Sequence, residues 1–250
     1  MFVAGFTFQH IRDTPNVGDL ACTPGQWFDF GGAERVFQNF GMQVANGHVA
    51  VFGGGQTFRW SADGVIYNSP KARARVIWGV GITAKHTLSL EFDIVQANVS
   101  LIGSRNWNVP RTEFVPCASA MSPLFDAPPA PKHDVVLFRH AAKSAGLEIP
   151  AGIPMMSNHG VSFDQAVAFI ASGATVVTNS YHGTYWAMLL GRKVLCLPFS
   201  DKFRGFQDMP VLADPGAWSG EIAKAEARPG QRDTARQANR RFYEKVMNLV

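Results

Sequence analysis

Cysteine is scarce in this chain: three among 250 residues, at Cys22, Cys117 and Cys196. They lie far apart, with no C-x-x-C pair, so neither a zinc site nor a disulfide framework is signalled, and no resident metal is expected. Long apolar runs are also missing, and the first residues lack a charged stretch followed by an apolar core. No spanning segment or secretory leader is expected on those grounds, and a reducing cytoplasm is the expected compartment. Charge of either sign is thin: 23 Lys and Arg against 19 Asp and Glu give a formal +4. That mild excess is spread along the chain without aromatic-basic interleaving, so nucleic acid is not an expected partner. What is plentiful is apolar residues, 46% of the whole, enough for a full core in one large α/β domain or two small ones.

Apolar runs repeatedly end in glycine. Phe2 to Phe8 alternates weakly and reads as a first strand, followed by a turn-rich loop from His10 to Gly25. Val49–Phe52 runs into Gly53, Gly54 and Gly55; Arg75–Gly81 ends in glycines; Val99–Gly103 is followed by Ser104 and Arg105. Glycine at a strand end lets the backbone approach a ligand closely, although each one can equally serve its turn alone. Between Ser122 and Asp134 four prolines mark an expected connector between two lobes, 1–125 and 134–250. The second lobe opens with a buried strand, Asp134–His140. A capping box, Ser162 to Gln165, then precedes a helix, and a last helix starts near Asp233 with an apolar stripe through Phe242 and Val246. The arginine-rich side of that last helix reads as a solvated face; peripheral contact with the inner face of a membrane is the one membrane role left open.

The most informative stretch is Thr178–Gly183. It joins the β-branched run Ala174–Val177 to an apolar helix, Tyr185–Leu190, that stops at Gly191, and Lys193–Leu197 reads as the next strand. In such a unit the free N–H groups of the helix start face the carboxyl edge of the sheet, where open α/β folds place their ligands. His182 sits at that junction, and Lys202 and Arg204 follow the next strand, so an anionic ligand is expected. His140, at the end of a buried strand, and His159, in an apparent turn, are weaker candidates.

With these residues in place, the chain resembles the polysaccharide pyruvyltransferase family. Four blocks carry the likeness: Pro15-Asn16-Val17-Gly18-Asp19, Val51–Gly55, Ile102–Arg105, and the long block from Val177 to Lys202 with its Ser-x-His-Gly; Val115–Ser119 is similar to the variant of ketal-forming members. The resemblance implies two Rossmann-like lobes in a glycosyltransferase-B-like arrangement with an interlobe cleft. Gly53–Gly55 and His182 would face that cleft. It implies phosphoenolpyruvate as donor, a sugar or lipid-linked oligosaccharide as acceptor, a cyclic pyruvate ketal as product, and no cofactor beyond the donor. Histidine suits the proton steps, since its ordinary pKa of about 6.5 lies near cytoplasmic pH. His182 is then the candidate general acid and Asp19 the candidate base. Arg105, Lys202 and Arg204 would hold the anionic groups, with Ser180, Gly183, Asn16, Gly53, Gly54 and Gly55 lining the substrates. Ser180 stands where many members carry an arginine, so the donor-binding cation has to come from elsewhere in this chain. Two other functions share this architecture or its context: a nucleotide-sugar glycosyltransferase anchored by Asp208 or Asp214, and a catalytically silent subunit of a polysaccharide-assembly complex.

Overall fold

The computed structural model describes residues 5–250. It has mixed α/β architecture, and its contacts divide the chain into two units. The first comprises the described residues up to Thr14, Asp19–Met121 and Ala235–Val250; the second comprises Pro15–Gly18 and Ser122–Thr234.

In the first unit the strands are β1 (Phe6–Gln9), β2 (Arg35–Gln38), β3 (Val49–Phe52), β4 (Ala74–Val80), β5 (Leu101–Ser104) and β6 (Glu113–Phe114). They form one parallel sheet in the order β2-β1-β3-β4-β5-β6. Both faces are covered, which is why its strands read as continuous apolar runs. Side chains alternate across a strand. Ala50, Phe52 and Ile77 therefore join one core with Phe58, Ala62 and Val65 of α2 (Phe58–Tyr67) and Phe92 and Val95 of α3 (Leu90–Asn98), whereas Val49, Val51, Val76 and Trp78 join a second core on the opposite face.

That second core corrects one expectation. The terminal helix, Gln231–Met247, was expected to belong to the C-terminal lobe, but from Ala235 onward it packs on the first unit. Phe242 and Val246 are fully buried among Phe6, Phe8 and Trp78. Buried Asn239 fixes the docking, accepting from Trp78 Nε1 at 2.9 Å and donating to the Pro116 carbonyl at 3.0 Å. Two smaller differences follow. The part of the first expected strand at Phe2–Ala4 lies outside the described residues. The expected connector is not wholly extended: Pro123–Phe125 is a 3-10 turn, and Phe125 is buried against Phe163 in the second unit.

The second unit holds β7 (His133–Arg139), β8 (Met155–Ser157), β9 (Gly173–Thr178), β10 (Lys193–Cys196) and β11 (Val211–Leu212), parallel in the order β11-β10-β9-β7-β8. The helix α4 (Phe163–Ala171) starts at the expected capping box, with Ser162 Oγ accepting from Gln165 N and Gln165 Oε1 accepting from Ser162 N. All nine residues of α5 (Tyr181–Leu189) are buried. The helix ends at Gly191 (φ +67°), a left-handed position that costs glycine nothing, and the Arg192 N–H reaches back to the Ala187 carbonyl at 2.9 Å.

Candidate functional site

The two strand orders specify where ligands belong. In the second sheet the chain steps from β7 to β8 on one side and then to β9 on the other, so the crevice at the topological switch lies at the carboxyl ends of β7 and β9. In the first sheet the same reversal falls between β1 and β3. Candidate residues gather at both switch points.

At the β7/β9 switch, Ser180 caps α5: its Oγ accepts from the Gly183 N–H at 3.2 Å. Serine here serves the helix start, and the Gly183 N–H is committed to that cap. Gly183 has no room for a side chain, since an added Cβ would lie 2.5 Å from Thr178 Oγ1 and 2.6 Å from Phe138. His182 is the second residue of the helix and is buried, its ring 5.4 Å from that of Trp186 and 5.8 Å from that of Tyr181. Its other face meets Gly18, where a Cβ would stand 2.2 Å from His182 Nδ1. The Pro15–Gly18 segment is held in place by Asn158, whose carbonyl accepts from Val17 N at 3.0 Å and whose Nδ2 donates to Asn16 Oδ1 at 2.9 Å. Asn16 also bridges to His159. Asn16, Gly18 and His182 thus share one place in the second unit.

The cations lie along the same edge. The His159 ring is 6.0 Å from that of His140, which is 5.6 Å from Phe199; Lys202 Nζ sits over the Phe199 ring at 4.3 Å. Arg139 ends β7, and its Nε, like His140 Nδ1, is buried without a hydrogen-bond partner among the described residues. The start of this loop is fixed by buried Asn179, whose Oδ1 accepts from the His140 N–H at 2.7 Å. Burial, with Lys202, His159 and Lys143 as positive neighbours, pushes the His140 pKa down to about 4. Arg204 is exposed on the 3-10 turn Asp201–Arg204. Arg139 and His140 are functional candidates that sequence reasoning underrated; a strand ending in Arg-His was visible, but its adjacency to β9 was not.

The His140 shift has a measurable consequence. Between pH 6.5 and about 4 the unfolded chain binds a proton that folded His140 does not, so stability falls as pH falls through that window. An anion in the site favours the charged imidazole and raises its pKa, which offsets the loss. Sulfate, dianionic throughout, is therefore expected to raise the melting temperature more at pH 5.5 than at pH 7.5, with His140→Gln removing the difference. Equal sulfate shifts at both pH values would show that His140 does not face the anion.

At the β1/β3 switch, Asp19 lies on the short helix Val17–Leu20 (α1) with its Oδ1 3.6 Å from where a Cβ on Gly55 would stand. Gly53 packs directly on β4, a Cβ there falling 2.2 Å from the Trp78 carbonyl oxygen, and Gly54 lies against Cys22 and Gly79. Of the three glycines, Gly55 (φ +84°) is the one beside Asp19. Arg105 is buried, and its Nη2 donates to Gln56 Oε1 at 3.1 Å. Cys22 and Cys117 are buried there too. Burial pushes both thiols up, and both feel Arg105 and Asp19. The first unit therefore gathers Asp19, Gly55 and Arg105. Among the described residues no cluster of His, Cys, Asp or Glu has the makings of a metal site.

No family model matches the chain, and no curated protein does. A solved structure described as a functional uncharacterized protein from Klebsiella pneumoniae subsp. pneumoniae NTUH-K2044 is similar in fold, with a TM-score of 0.50 and 12% identity over 79% of this chain and 84% of that one.

Proposed function

We propose that this chain is a phosphoenolpyruvate-dependent pyruvyltransferase. It would place the enolpyruvyl group on two hydroxyls of a sugar, in a bacterial-type polysaccharide or its lipid-linked precursor, and close a cyclic pyruvate ketal. A glycosyltransferase-B-like arrangement of the two Rossmann-like units is part of the same reading. The observation that carries it is Lys202 beside the Phe199 ring that His140 also meets, with Arg139 preceding His140 at the end of β7, on the sheet edge that also bears buried His182. A doubly anionic donor needs several positive groups, and its carbon chemistry needs an acid beside them.

The chemistry balances on the residues named. His182 gives a proton to the methylene carbon of the donor while a sugar hydroxyl, relieved of its proton by Asp19, attacks the adjacent carbon. The C–O bond to phosphate breaks, the second hydroxyl closes the ring, and of the two hydroxyl protons one ends on the new methyl group and the other leaves with phosphate. Lys202 and Arg139 stabilise the charge that accumulates on the departing phosphate. Arg139 takes the part of the cation absent at Ser180. Arg105 and Arg204 remain the further candidates for the donor's anionic groups.

The glycosyltransferase alternative needs a ribose or base anchor. Both candidate carboxylates carry local bonds: Asp214 Oδ1 accepts from the Gly216 N–H at 2.7 Å, and Asp208 accepts from Gln231. Among the described residues no helix is long and apolar enough to cross a membrane, and the proposed setting is the cytoplasm, with any membrane contact peripheral.

Calorimetry with phosphoenolpyruvate and with a nucleotide sugar separates the readings. Phosphoenolpyruvate is expected to bind, and more weakly as salt is added, since partly exposed charges are screened. Lys202→Ala is expected to raise the donor KM about tenfold or more with little change in acceptor KM, the loss of one charge-assisted contact present in ground and transition states alike. Binding of the nucleotide sugar alone would replace this proposal with the glycosyltransferase reading, and binding of neither would favour the silent subunit.

A further inference from the structure

The outward face of α2 carries Trp60, Asp63 and Tyr67 at helical spacing, while Phe58, Ser61, Ala62 and Val65 face the core. Trp60 is 49% exposed, unlike the buried Trp78, Trp186 and Trp218. It forms one wall of a hollow of about 290 Å³ whose other walls are Phe40, Asp63, Asn39, Gly41 and Ile11. The Phe40 and Trp60 rings are 6.0 Å apart at 35°, a splayed pair that holds the indole in place from one side. Asn39 is pinned as well, its Oδ1 accepting from Arg12 N at 2.7 Å.

A second hollow, about 400 Å³ and polar, shares Asn39 as a wall and is lined otherwise by His10, Arg12, Asp13, Leu20 and Gln26. His10 is almost fully buried, and its Nδ1 has no hydrogen-bond partner among the described residues. Burial and Arg12 push its pKa down to about 4, so at neutral pH it adds a polar ring rather than a charge to the wall of the hollow. Leu20, which lines this hollow, is the last residue of α1 and follows Asp19 in the chain.

These features describe a saccharide site. A pyranose presents an apolar patch of C–H groups on one face and hydroxyls around its rim. The patch matches the electron-rich face of an open indole, and the rim matches a carboxylate and an amide held at the indole's edge. The hollow is near the small end of the range for ligand pockets, roughly 300–1,000 Å³, as suits one ring. Two hollows that share Asn39 as a wall suit two linked rings. Trp107 is equally open, at 46%, but lines neither hollow.

We infer that the first unit binds the acceptor glycan over two pyranose rings, one stacked on Trp60 with Asp63 at its hydroxyls, the other in the polar hollow lined by His10, Arg12 and Gln26. This rests on the pyruvyltransferase reading for the word acceptor, but the binding itself needs no donor.

The test is retention of the labelled full-length protein on an array of pyranosyl disaccharides and longer glycans, without phosphoenolpyruvate. At least one glycan of two or more rings is expected to be held by the wild type. Affinity should fall tenfold or more for Trp60→Ala, recover in part for Trp60→Phe and stay unchanged for Trp107→Ala. Circular dichroism checks the fold of each variant, and Asp63→Asn supplies a second substitution that keeps the shape. Retention of no glycan, or retention indifferent to both Trp60→Ala and Asp63→Asn, overturns the inference. If glycan is held through Trp60 but phosphoenolpyruvate does not bind, this site stands and pyruvyl transfer falls. If transfer proceeds and Trp60→Ala leaves the acceptor KM unchanged, transfer stands and this site falls.

Discussion

On the pyruvyltransferase reading proposed above, replacing His182 by alanine is expected to lower pyruvyl transfer about a hundredfold or more, the usual contribution of a positioned general acid, while circular dichroism and the melting profile stay those of a folded protein. The separation of the two effects follows from the packing. Ser180 Oγ still caps α5 through Gly183 N, and the helix keeps its other buried residues, among them Met188 and Leu189. Truncating a buried ring leaves a cavity, for which a cost of about 1–3 kcal/mol is ordinary. That loosens the unit without undoing it. His182→Gln keeps bulk and hydrogen bonding but cannot deliver a proton near neutral pH, so on the proposed reading it should be as inactive as the alanine variant. A glutamine variant with most of the wild-type rate would take His182 out of the proton step and leave it a packing residue.

The contrast between what the sequence revealed and what it hid is physical. The strand and the end of the helix within Ala174–Leu190 were legible because their signals are local, a β-branched run and a glycine that stops, whereas the helix was expected from Tyr185 and in fact starts at Tyr181, where Ser180 caps it. The Ser162 to Gln165 capping box was legible for the same reason. The short β2, Arg35–Gln38, was hidden; it begins with a charged residue and exists because β1 offers it an edge. The terminal helix showed its apolar stripe plainly, yet a stripe does not say which unit it covers; that choice is made by Trp78, Asn239 and Pro116, up to 161 residues apart in sequence. Arg139 and His140 were hidden by topology. Their importance follows from β7 pairing with both β8 and β9, which makes the end of β7 a switch point, and strand order is not written in any window of the sequence. Asn16 and His182 were both named through the family resemblance, and what the structure adds is that Asn158 holds Asn16 in the segment whose Gly18 meets the His182 ring.

The contact between Gly18 and His182 admits a sharper test than either residue alone. Gly18 lies in α1 without a positive φ, so alanine suits its backbone and, in a helix, is intrinsically better than glycine by about 1 kcal/mol. Local propensity therefore predicts that Gly18→Ala stabilises. The imidazole predicts the reverse: the new methyl group would stand 2.2 Å from Nδ1 and 2.7 Å from Cγ of a buried ring that Trp186 and Tyr181 flank. Overpacking of this kind costs about 1–3 kcal/mol, and relief by displacing His182 would carry the acid out of position. Gly18→Ala is thus expected to lose stability and, on the proposed reading, to lower pyruvyl transfer nearly as far as His182→Ala does. In the His182→Ala background the methyl group meets open space, and Gly18→Ala should become neutral or stabilising. Urea melts of the wild type, both single variants and the double variant give the coupling directly, expected at about 1–3 kcal/mol, the range for residues in contact. Additive effects would show that the imidazole yields freely to the methyl group, and the Pro15–Gly18 segment would then have no part in holding the histidine where the proton is needed.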